Sequence, residues 1–169
     1  MRRIFALSLT SVILWVVLAQ VNHALTEFRV YLFAGALFVS FTALTQTLRS
    51  GLTASIIGGL ICDANSPVPF GTHVLLFTLA HVTVFHVRDR VPRDDNVASV
   101  VLALFTNLAL FLVFSFTQIH VSPYPAAIWP RLLMDLLCSQ ILVAVITPWF
   151  FALQARALEF AGPARGESA

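Results

Sequence analysis

Six apolar stretches alternate with short polar connections along the 169 residues of this chain. About 20 uncharged, mostly apolar residues cross the roughly 30 Å hydrocarbon core of a bilayer as a helix. Segments 4–21, 30–48, 97–119 and 132–153 meet that requirement directly. Segment 51–62 holds twelve residues before Asp63, and segment 72–87 holds sixteen, interrupted by His73, His81 and His86. Both are predicted as short or tilted spans, the alternative being a re-entrant hairpin shielded by protein. The pattern predicts an all-α integral membrane protein, a six-transmembrane-helix bundle forming one polytopic domain over residues 1–161. Residues 162–169 are expected to form a short disordered tail.

Composition and charge sharpen this picture. Hydrophobic residues make up 59% of the chain and charged ones 11%, against roughly 25% charged in an ordinary globular domain. All ten cationic side chains are arginines. With six spans and a cytoplasmic N-terminus, Arg2, Arg3, Arg49, Arg88, Arg90, Arg93, Arg156 and Arg165 lie inside, and only Arg29 and Arg131 outside. The positive-inside rule therefore places both termini in the cytoplasm, and the net charge of +2 carries no nucleic-acid footprint. Arg2 and Arg3 before an apolar run resemble a secretory signal. The run is longer than a signal core of about 7–15 residues and lacks a small-x-small cleavage site, so segment 4–21 is expected to be retained. Cys62 and Cys138 fall in apolar helices and read as small packing residues.

The third apolar segment carries the most local information. Gly51, Ser55, Gly59 and Asp63 recur every four residues, drifting about 40° per step on a 3.6-residue helix. They form a stripe of small side chains leading to a carboxylate, with Ala54 and Gly58 beside it. Small residues at this spacing let helix backbones approach closely where lipid offers no hydrophobic drive. The third helix is therefore expected to be central, its stripe packing within the bundle or docking a partner.

Arg131, Asp135 and Ser139 repeat the same spacing in the last segment, and Arg131 and Asp135 suit an intrahelical ion pair. Ionisable groups at membrane depth are costly and normally find partners. A polar cluster of Asp63, Arg131 and Asp135, with His73 as a further member, is expected to hold helices three and six in register. No serine–histidine pair or deep aspartate pair suited to intramembrane hydrolysis is legible. His73, His81 and His86 are read as pointing in different directions, so neither a metal site nor a cofactor is expected. Pro148 should kink the last helix.

Residues 58–73, GGLICDANSPVPFGTH, resemble the rod-shape-determining MreD family. In that family a glycine-bearing apolar helix ends in an aspartate, a short Ser/Pro turn follows, and a glycine opens the next apolar helix. The likeness is specific over residues 51–90 and architectural elsewhere; Asp63, Pro67, Pro69 and Gly71 match the motif. It implies a bacterial inner-membrane, non-enzymatic scaffold of the cell-elongation machinery. Its implied partners are an MreC-like bitopic protein, the membrane glycosyltransferase and transpeptidase of lateral wall synthesis, and, indirectly, the MreB filament. The family's fold is similar to that of the substrate-binding subunits of energy-coupling-factor transporters. A vitamin-binding membrane subunit is accordingly the competing expectation, with Asp63, Trp129 and Arg131 around a ligand. The polar pair Thr72-His73 after the glycine has no account at this level.

Overall fold

A computed structural model describes residues 2–64, 69–90, 96–121 and 125–161. They form six α-helices: α1 (Arg2–Ala24), α2 (Gly35–Thr45), α3 (Leu48–Ala64), α4 (Thr72–Val87), α5 (Asn96–Val121) and α6 (Pro125–Phe160). Short 3₁₀ turns follow α1 (Leu25–Phe28) and α4 (Arg88–Arg90). The described residues are helical throughout apart from connections, and three helical stretches are long and apolar enough to cross a membrane: Phe5–Phe28, Val97–Thr117 and Ile128–Phe160.

Five helices close a ring in the order α1, α3, α4, α5, α6, and α2 packs inside it against α3, α4, α5 and α6. The centre is therefore α2, not α3 as its small-residue stripe suggested. The physical reason is side-chain coverage. Every residue from Leu32 to Ala43 is buried, and Leu37, Phe38 and Phe41 join Leu7, Ala54, Ala103 and Val143 in one core cluster. A helix apolar all round belongs where protein surrounds it. Helix α3 keeps one outward face, with Ile56 and Leu60 exposed.

Segment 30–48, expected as one helix, divides in two. Residues 30–34 run without helical hydrogen bonds as a strap, and only Gly35–Thr45 coils. Eleven helical residues at 1.5 Å give about 16 Å, and the strap precedes them.

The last helix runs past the predicted 132–153 at both ends, because an interfacial charge ends an apolar run without ending a helix. It stays helical through Pro130 and Pro148. Pro67, Pro123, Tyr124 and the 162–169 tail lie outside the described residues.

Candidate functional site

Asp63 closes the last turn of α3 and caps the first turn of α4. Its Oδ2 accepts hydrogen bonds from the backbone N–H of Gly71 (2.9 Å) and Val74 (3.2 Å). Its Oδ1 accepts from the His73 backbone N–H (2.9 Å) and lies 2.8 Å from His73 Nδ1. A helix start exposes N–H groups that lack intrahelical acceptors and carries partial positive charge. A carboxylate from the neighbouring helix satisfies both at once. Gly71 supplies the turn with φ 97°, a left-handed conformation that glycine adopts without strain. Thr72 Oγ1 donates to the Pro69 carbonyl at 2.7 Å, and buried His73 packs against the rings of Phe77 and Phe114. The Thr72-His73 pair thus acquires a reason: one residue closes the turn and the other holds the carboxylate.

The small-residue stripe is the α3/α4 seam. At Gly59 an added Cβ would sit 2.6 Å from Val74 Cα and 2.8 Å from Val74 N, so the two backbones touch. Gly51 gives its space to the ring of His81. Between them Ser55 Oγ lies 3.1 Å from His81 Nδ1, and Thr42 Oγ1 of α2 approaches the same nitrogen at 3.4 Å. Gly58, one residue round the helix, faces Phe38 and Ser11 instead. His73 and His81 therefore share the buried face of α4, while His86 is exposed and bonds its own helix at Val82 O. The expectation that all three diverge is corrected: positions 73 and 81 lie about 80° apart on a 3.6-residue helix, close enough to face one neighbour.

Asp135 works at a second station. Its Oδ1 accepts the Tyr31 backbone N–H at 2.8 Å. Ser139 Oγ, one turn on, accepts from Phe33 N–H at 2.9 Å. Between them Leu32 exchanges two bonds with Asn22 of α1: its N–H donates to Oδ1 at 2.7 Å and its carbonyl accepts from Nδ2 at 2.9 Å. Side chains from two flanking helices thus replace the ladder that residues 31–33 give up, the condition for non-helical backbone inside a membrane protein. Arg131, largely exposed, stands 3.9 Å from Asp135. No described hydrogen bond or ion pair joins Asp63 to Arg131 or Asp135. The expected four-residue cluster is two separate clamps, because α1 stands between α3 and α6 in the ring and each carboxylate is taken by nearer backbone donors.

The contacts of three further side chains, Arg88, Thr10 and Gln140, were not legible in the sequence. At the opposite end of the bundle Arg88 Nη1 donates to the carbonyls of Gln46 (2.9 Å) and Ala43 (3.4 Å), placing a cation on the negative C-terminus of α2. Its guanidinium lies 3.7 Å above the Phe85 ring. Thr10 Oγ1 of α1 donates to Gln154 Oε1 of α6 at 2.9 Å, and Gln140 Nε2 of α6 donates to Leu104 O of α5 at 3.3 Å. The only sequence signal of the last two is a polar residue on an otherwise apolar helix.

Among the described residues no group of three or more His, Cys, Asp or Glu side chains is placed to hold a metal ion. Three cavities are described; none is lined by Asp63, Trp129 or Arg131. Comparison with protein families, curated proteins and solved structures finds no match to this chain.

Proposed function

We propose that this protein is a non-enzymatic, six-span scaffold of the bacterial inner membrane, with both termini cytoplasmic, serving the cell-elongation machinery as MreD-type proteins do. It would tie an MreC-like bitopic protein, and through it the MreB filament, to the glycosyltransferase and transpeptidase of lateral wall synthesis. The observation that carries this reading is the use made of the buried ionisable groups. Buried Asp63, His73 and Asp135 and part-exposed Arg88 bond backbone or one another across helix seams, and buried His81 meets the Ser55 and Thr42 hydroxyls. A carboxylate already accepting four bonds is poorly placed as a general base, whereas a bundle stitched across its α3/α4, α1/α6 and α5/α6 seams and along the strap is a firm body for other membrane proteins to grip.

Six spans follow if the strap and α2 cross together and if α3 and α4 cross as a pair of short, upright spans. At 17 and 16 residues, those two helices reach about 25 Å, short of the hydrocarbon core by an amount that local bilayer thinning accommodates. The arginine distribution then puts Arg88 and the α2 C-terminus at the cytoplasmic face, and Asp63 and Asp135 at the outer one. A vitamin-capturing subunit is the competing reading. In the form expected from sequence it needs Asp63 and Arg131 to face a ligand, and the geometry of Asp63 favours the scaffold.

Depletion in the native bacterium tests this. The scaffold predicts rounded cells; cells of normal shape that lose vitamin uptake would support the competitor.

A further inference from the structure

One cavity, about 450 Å³, lies between α1 and α3 beside the strap, within the size range of small-molecule sites. It is not used by the scaffold reading. Its α1 wall is one helical face: Val12, Val16 and Ala19 lead to Asn22 and His23, with Thr26 and Tyr31 beyond. At 1.5 Å per residue, Val12 and His23 are about 16 Å apart along the helix. The lining is apolar along one length and polar at one end, an amphiphile's own profile.

Three features narrow the occupant. Among the described residues no Asp, Glu, Lys or Arg lines the cavity, and His23 at its polar end is exposed to the outside; a charge taken out of water without a partner is heavily penalised, so a neutral ligand fits. Thr26 Oγ1 donates to the Asn22 carbonyl and keeps its lone pairs as acceptors, while the Tyr31 hydroxyl can donate; a hydroxyl-bearing head matches both. Val16 is 55% exposed, so the apolar length opens sideways, toward lipid rather than toward water.

The walls are built in advance. The Trp15 ring stacks on Phe77 at 6.1 Å and leans on Phe33 at 6.5 Å. Phe33 and Tyr31 are held by Ser139 and Asp135 through their backbones. We propose that this cavity binds a neutral, hydroxyl-headed amphiphile that enters laterally from the outer leaflet.

Trp15 supplies the readout. Substituting Trp129→Phe and Trp149→Phe, both at exposed positions, leaves Trp15 as the single tryptophan in the full chain. In phosphatidylcholine nanodiscs a chain-brominated monoacylglycerol should quench Trp15 saturably. Per bromine, half-quenching should need about tenfold less of it than of brominated phosphatidylcholine or phosphatidylglycerol, a ratio set by about 1.4 kcal/mol of preference. Unlabelled monoolein should reverse it. Ala19→Phe and Val16→Phe, which fill the apolar end, should each bring quenching down to the bulk-lipid line without changing the unfolding temperature. If Ala19→Phe fails to fold, Val16→Phe at its exposed position carries the test alone. Quenching that follows mole fraction equally for all three lipids, or persists in folded Val16→Phe, would overturn the proposal. Partner binding plays no part in this readout, so loss of the scaffold role would leave it untouched; only the leaflet assignment rests on the orientation proposed above.

Discussion

Asp63 Oδ1 and His73 Nδ1 stand 2.8 Å apart with both side chains buried, joining the last turn of α3 to the first turn of α4. The same carboxylate collects three backbone N–H groups of the α4 start, so one residue fixes the hairpin's geometry. Asp63→Ala strands those donors and the imidazole together, and should destabilise the protein by about 3 kcal/mol or more. Asp63→Asn keeps an acceptor and should cost less. Thermal unfolding in mild detergent checks the order; an Asp63→Ala protein as stable as the parent would remove the cap from the account.

Gly59 and Gly71 make a controlled pair. A Cβ at Gly59 would press on the Val74 backbone, which cannot swing aside as a side chain can, while at Gly71 nothing lies within 4 Å and only the φ of 97° resists. Gly59→Ala should cost about 1–3 kcal/mol by overpacking and should also weaken the cap, since it pushes α4 away from Asp63. Gly71→Ala should cost about 1–2 kcal/mol from backbone strain alone. A double-mutant cycle with Asp63→Asn reads this directly: coupling is expected for Gly59→Ala through the displaced α4, and additivity there would contradict the seam, while Gly71, bonded to Asp63 through its own N–H, is expected to couple only as far as its strain disturbs that bond.

The strap makes its own prediction. Amide hydrogen exchange at Tyr31, Leu32 and Phe33 should be slow in the parent protein although those residues are not helical. Ser139→Ala should speed exchange at Phe33 and cost about 1–3 kcal/mol, the penalty of a buried donor left unpaired. Asp135→Ala should do the same at Tyr31. Fast exchange at all three amides in the parent would show that the side-chain bonds do not form.

Helical class and most element positions were legible from where charges interrupt apolar runs: predicted 51–62 and 72–87 became Leu48–Ala64 and Thr72–Val87. The Gly51/Ser55/Gly59 stripe pointed correctly to close packing, since spacing alone puts small residues on one face. The strap was illegible. Residues 30–34 contain no proline or glycine, and they uncoil because Asn22, Asp135 and Ser139, distant in sequence, supply the bonds a helix would have made. Arg88 was hidden for a related reason: an arginine after an apolar run reads as a topology marker, and only the fold brings the α2 C-terminus to it.

Arg88 can be tested against that simpler role. If it served as a charge alone, Arg88→Lys would be neutral. Because its Nη1 reaches the Gln46 and Ala43 carbonyls, Arg88→Ala should cost about 1.5–3 kcal/mol, with Lys recovering only part. Unfolding in detergent, where no membrane potential or insertion machinery acts, reads the difference, and equal stability of all three would leave Arg88 as a topology marker.

A stitched bundle that serves as a grip for membrane partners should carry those partners with it when it is purified. Quantitative mass spectrometry of the tagged protein, purified gently from its own membranes, tests it most directly. The account predicts an MreC-like bitopic protein and lateral-wall synthases in constant proportion to the bait, falling several-fold when Asp63→Ala loosens the hairpin. A bait that emerges alone, or with the ATPases of a vitamin transporter in place of wall synthases, would contradict it.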